Sequence, residues 1–320
     1  MTMYPLLLTP HVTDYLWGGT RLKTEYGYPS DKDIAAEAWV LSCHKDGASV
    51  VANGDLAGRT LTDVLALWGD AAIGEKAAAF PYFPLLIKLI DAKDRLSVQV
   101  HPDNEYALRV EGEFGKTEMW YVVDCEPGAQ LIYGFNTTLT QEELRAQIEA
   151  DTLPDVCNFV PVKKGDVFFI QAGTLHAIGK GILIAEVQQN SNTTYRVSDY
   201  GRLGADGKPR PLHVDKAVDV TVPTPPSIPY GQTGEISAVE GGTVRALANC
   251  EFFTADLVNV DGTATFGKAD TFVSLLCLDG NATLTDGTTT LALKKGASAF
   301  VPAGMTVTVS GTAQLLQSHV

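Results

Sequence analysis

Apolar residues recur along this chain with two different periods. Across residues 60–68, Leu61, Val64, Leu65 and Trp68 fall on one face of a 3.6-residue helix, and Thr60 with Asp63 supplies a helix-start signal. Thr140 and Glu143 repeat that signal ahead of Leu144 and Ile148. Shorter helices are expected at 103–109, after His101-Pro102, and at 213–220. Apolar runs such as 119–123 and 167–170 read instead as strands. Beyond residue 234 the chain turns rich in Thr, Val, Ala and Gly and poor in charge. Asp261-Gly262, Asp279-Gly280 and Asp286-Gly287 punctuate it there, and they predict turns between short antiparallel strands. The pattern as a whole predicts a mainly β protein with helical insertions in its N-terminal part.

A proline-rich stretch divides the chain. Residues 222–234 hold Pro223, Pro225, Pro226 and Pro229, which remove backbone donors and favour extended chain. We therefore expect a first domain over 1–221, a linker over 222–234 and a second β domain over 235–320. An internal similarity links the two domains. Lys163-Lys164-Gly165 runs on to Phe169-Ile170-Gln171-Ala172-Gly173, and Lys294-Lys295-Gly296 runs on to Phe300-Val301-Pro302-Ala303-Gly304 with the same spacing. His176 follows the first copy, and Val307 occupies that place in the second. The repeat implies two copies of one β architecture, the second without a ligand at that position.

Composition narrows the function classes. The 320 residues are 45% apolar and 19% charged, an ordinary globular mixture. A net charge of -14 argues against a nucleic-acid partner, which needs clustered cations, and against an anionic membrane surface. A small anionic ligand needs only a few local cations and stays open. Cys43, Cys125, Cys157, Cys250 and Cys277 are odd in number and form no C-x-x-C pair, which fits reduced thiols in the cytoplasm. The N-terminus carries no basic leader segment, and no apolar run approaches a membrane span. Oligomeric state leaves no mark on the sequence.

Gly165, five residues, Gln171-Ala172-Gly173, two residues and His176 resemble the second motif of the cupins, which are small jelly-roll barrels. The motif normally has Pro where Gln171 stands; the second copy does have Pro302. Ser97-Val98-Gln99-Val100-His101-Pro102, Lys116-Thr117-Glu118-Met119, Ala172-Gly173-Thr174-Leu175-His176 and the run 186–196 resemble type I mannose-6-phosphate isomerases. Trp17-Gly18-Gly19 and Pro84-Leu85-Leu86-Ile87-Lys88 fit as well. The match is to the shorter bacterial form, since the long helical insertion of larger relatives is missing. The resemblance implies two cupin-like jelly-roll barrels and one metal ion per chain on Gln99, His101, Glu118 and His176. Strand parity agrees for one pair, because residues two apart face the same side and Gln99 and His101 can then reach one ion. Two imidazoles, a carboxylate and an amide suit zinc, manganese, cobalt or iron; the resemblance implies zinc. Among the other histidines, His11, His44 and His213 read as structural or rim residues and His319 as solvated.

The resemblance implies interconversion of mannose 6-phosphate and fructose 6-phosphate through a cis-enediol, a sugar-phosphate isomerisation with no redox cofactor. Glu186 and Lys116 are both candidates for the base: one a carboxylate, the other an amine whose desolvation would favour loss of its proton. Arg196 is the candidate for the anionic end or the enediolate, since guanidinium binds oxyanions in bidentate fashion. Lys88, Ser97 and Trp17 are candidate substrate contacts, with Arg202 and Trp120 behind them. Two other readings compete. A non-catalytic sugar-sensing double cupin would lose the ligands or the Glu186/Arg196 pair, all of which are present. A different cupin enzyme would carry H-x-H where this chain has Gln99-x-His101.

Overall fold

The computed structural model describes residues 2–204 and 207–320. Three sheets carry most of the chain. A six-stranded antiparallel sheet runs Val167–Ile170, Glu118–Cys125, Ile182–Gln189, Leu85–Ala92, Glu37–Leu41, His11–Thr13 in spatial order. A five-stranded sheet runs Cys157–Pro161, Gln130–Phe135, His176–Ala177, Val98–Val100, Tyr195–Ser198. The two face each other, and Trp120, Phe168 and Ile184 of the first share one apolar cluster with Leu131 and Tyr133 of the second and with Ile178 just past its strand His176–Ala177. Helices Gln141–Glu149 and Val214–Val220 cover the outer face of the five-stranded sheet through Leu144, Ile148, Ala217 and Val218.

The third sheet has nine strands, most of them from the C-terminal part, and curls around a core of its own that includes Val260, Leu275, Leu284 and Val309. Its outer side closes the back of the six-stranded sheet. Ile87, Leu89, Met119 and Val187 pack in one cluster with Leu257, Phe272, Leu276 and Leu316. Strands Leu85–Ala92 and Ile182–Gln189 are therefore buried along their whole length, which explains why they read as near-continuous apolar runs. The nine-stranded sheet also takes strands from before the proline-rich stretch: Leu6–Thr9 pairs with Ser298–Val301, and Val50–Val51 pairs with Leu6–Thr9. Residues 222–234 form no helix or strand and are pinned where Gly231 and Val167 exchange backbone hydrogen bonds of 2.7 and 3.0 Å.

The helix expectations hold at Leu61–Trp68, Asn104–Val110, Gln141–Glu149 and Val214–Val220. Thr140 and Glu143 make a reciprocal capping box; the Thr60 hydroxyl accepts from the Asp63 N–H and donates to its carboxylate. The repeat is equally visible. Val167–Ile170 and Ser298–Val301 occupy the same four positions of their copies, and the following strands begin at His176 and Val307, the matched pair.

Three expectations are corrected. Asp286-Gly287 is a turn, with the Asp286 carboxylate accepting from Thr288 and Thr289 N–H. Asp261-Gly262 and Asp279-Gly280 instead lie inside the 13-residue strands Thr254–Phe266 and Val273–Thr285. Gly280 sits beside a register shift between Cys277 and Asp279, where a positive φ of 83° lets the long strand bend around its core. His319 is buried rather than solvated, because the strand Val307–His319 pairs with Thr254–Phe266 to its last residue.

Phe272 ties the layers together. It is fully buried and stacks near Phe83 (5.0 Å) and Phe300 (5.3 Å). Phe272→Ala should lower the unfolding free energy by about 3–5 kcal/mol in urea titration; a change below about 1 kcal/mol would show that the sheets are held together elsewhere.

Candidate metal centre

Two rows of cross-strand neighbours build the site. Across the six-stranded sheet, Phe168, Trp120, Glu186, Lys88, Trp39 and His11 pair in one unbroken line, strand by strand. Across the five-stranded sheet, Tyr133, His176, Gln99 and Arg196 make a second line. The rings of Trp120 and His176 meet edge to face at 5.2 Å, so the two lines face each other. Residues two further along complete the set: Glu118 on the strand of Trp120, and His101 just past the strand of Gln99.

His101, Glu118 and His176 are all buried, and their ligand atoms converge within 4.8 Å. His101 Nε2 and His176 Nε2 are 3.1 Å apart, and Glu118 Oε1 lies 3.8 and 3.4 Å from them. Each imidazole donates its Nδ1–H to a backbone carbonyl, Thr193 O at 2.8 Å and Thr174 O at 2.9 Å. Those bonds fix the tautomer and leave both Nε2 atoms as acceptors. Burial holds His176 down to about 3 and His101 well below its ordinary range, with the Lys116 charge adding to the effect at His101, so both rings are neutral. Glu118 Oε1 has no hydrogen-bond partner among the described residues. The Gln99 amide lies 3.3 Å from His176 Nε2, and turning it over brings its oxygen to the same place. These converging acceptors suit a cation, and this nitrogen–oxygen donor set fits a divalent metal ion.

Around this cluster, charge alternates. Lys116 Nζ lies 2.5 Å from Glu118, 3.2 Å from His101 Nε2 and 3.8 Å from Glu186. Lys88 Nζ lies 3.4 Å from Glu186 and 3.6 Å from Glu37. The indole N–H groups of Trp120 and Trp39 donate to Glu186 and Glu37 at 2.8 and 2.7 Å. Although burial opposes it, Lys116, Lys88 and the Trp120 N–H hold Glu186 well below the usual carboxylate range, whereas burial and the Glu186 charge push Glu118 up.

A cavity of about 230 Å³ opens onto these residues. Trp17, Lys88, Ser97, Gln99, Lys116, Glu186 and Arg196 all line it, so the sequence-derived substrate and base candidates come together. Arg196 keeps Nη1 on Pro211 O at 3.1 Å, while its buried Nε has no partner among the described residues. Arg202 is drawn in by Asp199, which also grips Arg210 through bonds of 2.7 Å from both Nε and Nη2. Two guanidinium groups thus share one carboxylate, and Arg196 and Arg210 give the cavity a cationic wall inside an acidic protein. Glu37, Asp199 and Arg210 escaped the sequence reading. Glu37 shares strand parity with Trp39, a usable signal; Arg210 lies in irregular chain, where parity gives none.

Comparisons with known proteins follow this geometry. Residues 6–121 match the family model for the phosphomannose isomerase type I catalytic domain, and residues 243–320 match that for the mannose-6-phosphate isomerase cupin domain. The chain is 39% identical to a mannose-6-phosphate isomerase of Bacillus subtilis over all of both chains. It is 39% identical to one of Streptococcus mutans over 93% of this chain and 92% of the relative. The crystal structure of a mannose 6-phosphate isomerase from Bacillus subtilis superposes with a TM-score of 0.91 at 36% identity, covering 99% of this chain and all of that one.

The donor set makes a direct prediction. Purified protein should carry close to one divalent ion per chain by elemental analysis, and His176→Ala should drop that to near zero. Undiminished metal content in His176→Ala would place the ion elsewhere.

Proposed function

This chain belongs to the type I mannose-6-phosphate isomerase family, and on that premise we propose that Gln99, His101, Glu118 and His176 hold one zinc ion while Lys116, Glu186 and Arg196 serve the substrate beside it. The reaction is the reversible conversion of mannose 6-phosphate to fructose 6-phosphate, an aldose–ketose isomerisation. The sugar ring opens, a proton leaves C2, a cis-enediol(ate) forms, and a proton arrives at C1. Bound at those four ligands, zinc supplies Lewis acidity that stabilises negative charge on the substrate oxygens.

Lys116 is our choice for the group that moves the proton. Glu186 Oε2 accepts from the Trp120 N–H, and its Oε1 lies between the two lysines at 3.4 and 3.8 Å without a hydrogen bond, so we give that carboxylate the role of holding Lys116 and Lys88 in place. Lys116 Nζ lies beside His101 and Glu118, the ligands nearest the reacting carbons in this reading. In this reading Lys116 Nζ takes up the C2 proton. The C2–H electron pair becomes the enediol double bond, and the C1 carbonyl oxygen takes up the charge. The C2 hydroxyl proton then passes to the C1 oxygen, the pair left on the C2 oxygen closes to the ketone carbonyl, and Lys116 returns its proton to C1 on the same face, as a cis-enediol permits. Lys88, Ser97 and Trp17 contact the sugar from the cavity wall.

The phosphate lies against the cationic wall. Arg196 is the cross-strand neighbour of Gln99, its Nε is unpartnered, and Arg210 beside it lines the same cavity. One cavity brings the oxyanion-binding wall together with Gln99 and Lys116, which touch the two neutral imidazoles, and this convergence carries the proposal. Residues 1–221 form the catalytic part and 235–320 the supporting part, with 222–234 between them. Five unpaired cysteines agree with work in the cytoplasm, and no helix among the described residues is long and apolar enough to cross a membrane.

Zinc-loaded protein should convert mannose 6-phosphate to fructose 6-phosphate, chelation should abolish turnover, and re-addition of zinc should restore it. Arg196→Ala should keep its metal and lose about 10²-fold or more in kcat/KM. Full activity in Arg196→Ala would remove it from the mechanism, and full activity in the chelated protein would remove the metal.

A further inference from the structure

The loop that brings Lys116 and Glu118 into the site carries a third charged residue, Glu113. It stands outside the isomerase cavity and turns its carboxylate to the 190–194 segment instead. Its loop is firmly placed. Phe114 N–H donates to the Tyr82 hydroxyl at 2.5 Å, Gly115 N–H to the Asn104 amide oxygen at 2.9 Å, and Lys116 N–H to Pro102 O at 2.9 Å. Gly115 is needed for that approach, since a Cβ there would lie 2.3 Å from the Asp103 carbonyl carbon. Glu113 is thus presented from a rigid base.

The two oxygens of Glu113 do different things. Oε1 pairs with the Lys45 ammonium. Oε2 accepts from Asn192 N–H at 3.4 Å and from the Thr193 hydroxyl at 3.3 Å. The carbonyl of that same Thr193 receives the Nδ1–H of His101 at 2.8 Å. Other anchors hold neighbouring parts of the segment: the Gln188 amide donates to Ser191 O, the Asn190 amide to Phe83 O, and the Asn192 amide to Asp46. Among the described residues, Glu113 is the side chain from beyond the segment, besides His101 itself, that bonds to Thr193. Although burial opposes it, Lys45 and the Asn192 N–H hold Glu113 below the usual carboxylate range, so it grips as an ionised acceptor.

We propose that Glu113 is a positioning residue for the metal centre: through Thr193 it sets the carbonyl that orients the His101 imidazole, and it ties that carbonyl to the loop bearing Lys116 and Glu118. The metal part of this inference rests on the reading of His101 as a ligand. An orienting acceptor on the far nitrogen of a ligand imidazole governs how firmly the ring is held toward the ion. His176 supplies an internal contrast. Its Nδ1–H goes to Thr174 O, two residues away in its own turn, whereas the hydrogen bonds of Glu113 end on Lys45, Asn192 and Thr193. Loss of Glu113 should therefore loosen one ring and spare the other. A carboxylate that only stabilised the fold would move both or neither. Lys45 supplies a second contrast: its side chain is 69% exposed and meets Oε1, so removing it leaves the Oε2 bonds in place.

Proton–nitrogen NMR on zinc-loaded protein, isotope-labelled in its histidines, reads the two Nδ1–H groups separately. Glu113→Ala should speed hydrogen exchange at His101 Nδ1–H about tenfold or more and leave His176 within about twofold of the parent. Glu113→Gln keeps one acceptor oxygen in place and should show the same selectivity at about threefold, which preserves the test where the alanine variant folds poorly. Lys45→Ala should leave both rings within about twofold. Zinc release from Glu113→Ala into excess chelator should be about fivefold faster, and kcat at saturating zinc about threefold lower. Equal acceleration at both rings, acceleration at neither, or a Lys45→Ala protein that behaves like Glu113→Ala would overturn the positioning of His101. A loosened His101 with zinc release and kcat unmoved would overturn its consequence for the metal centre. The exchange comparison reads the ring with or without an ion, so a parent protein that takes up no zinc would count against the ligand set and not against the Glu113–Thr193–His101 connection.

Discussion

Two neutral imidazoles and a carboxylate, buried together and converging on one point, set the terms for the rest of this structure. Burying ionisable groups is costly unless each charge finds a partner. The chain meets that demand by alternating sign: Glu37, Lys88, Glu186, Lys116 and Glu118 follow one another at 2.5 to 3.8 Å. Indole N–H groups satisfy carboxylate oxygens along the series. At its inner end the series runs into the acceptors of His101 and His176, where a divalent cation completes it. Removing one member strands its neighbour in a dry site, so the candidate metal ligands and the surrounding ion pairs form a single electrostatic unit.

The scaffold exists to keep that unit dry and in register. Cross-strand pairing places Trp120, Glu186, Lys88 and Trp39 side by side, and strand parity turns them all to one face. The opposite face of the same strands is apolar and would be exposed on its own. The C-terminal sheet covers it, with Phe272 and Leu316 packed against Ile87 and Val187 in one cluster. A strand from the start of the chain, Leu6–Thr9, is built into that covering sheet, so the two halves cannot part without breaking a ladder. The repeated copy has Val307 where the first has His176: one copy keeps the chemistry, and the other supplies apolar cover.

Local order was legible in the sequence, and distant register was not. The helix starts at Thr60 and Thr140, the strand Val167–Ile170 and the shared face of Ser97 and Gln99 all follow from patterns within ten residues. The turn reading of Asp261-Gly262 and Asp279-Gly280 failed because a glycine that bends a long strand around its core has the same sequence signature as one that ends a strand. That Lys88 would stand directly across from both Trp39 and Glu186 depends on pairing between segments up to about a hundred residues apart, which no local period encodes. Glu37 was missed for that reason, and Arg210 and Asp199 because they meet in irregular chain whose shape only the fold determines.

The central claim is that one zinc ion is held by two imidazoles and two oxygens, one of them the amide oxygen of Gln99. X-ray absorption at the zinc edge on the holoprotein tests it most directly. The account predicts a first shell of nitrogen and oxygen only, at about 2.0–2.2 Å, with the multiple-scattering signature of two imidazoles that falls to one in His101→Gln. A sulfur scatterer at about 2.3 Å, or a spectrum that His101→Gln leaves unchanged, would contradict it.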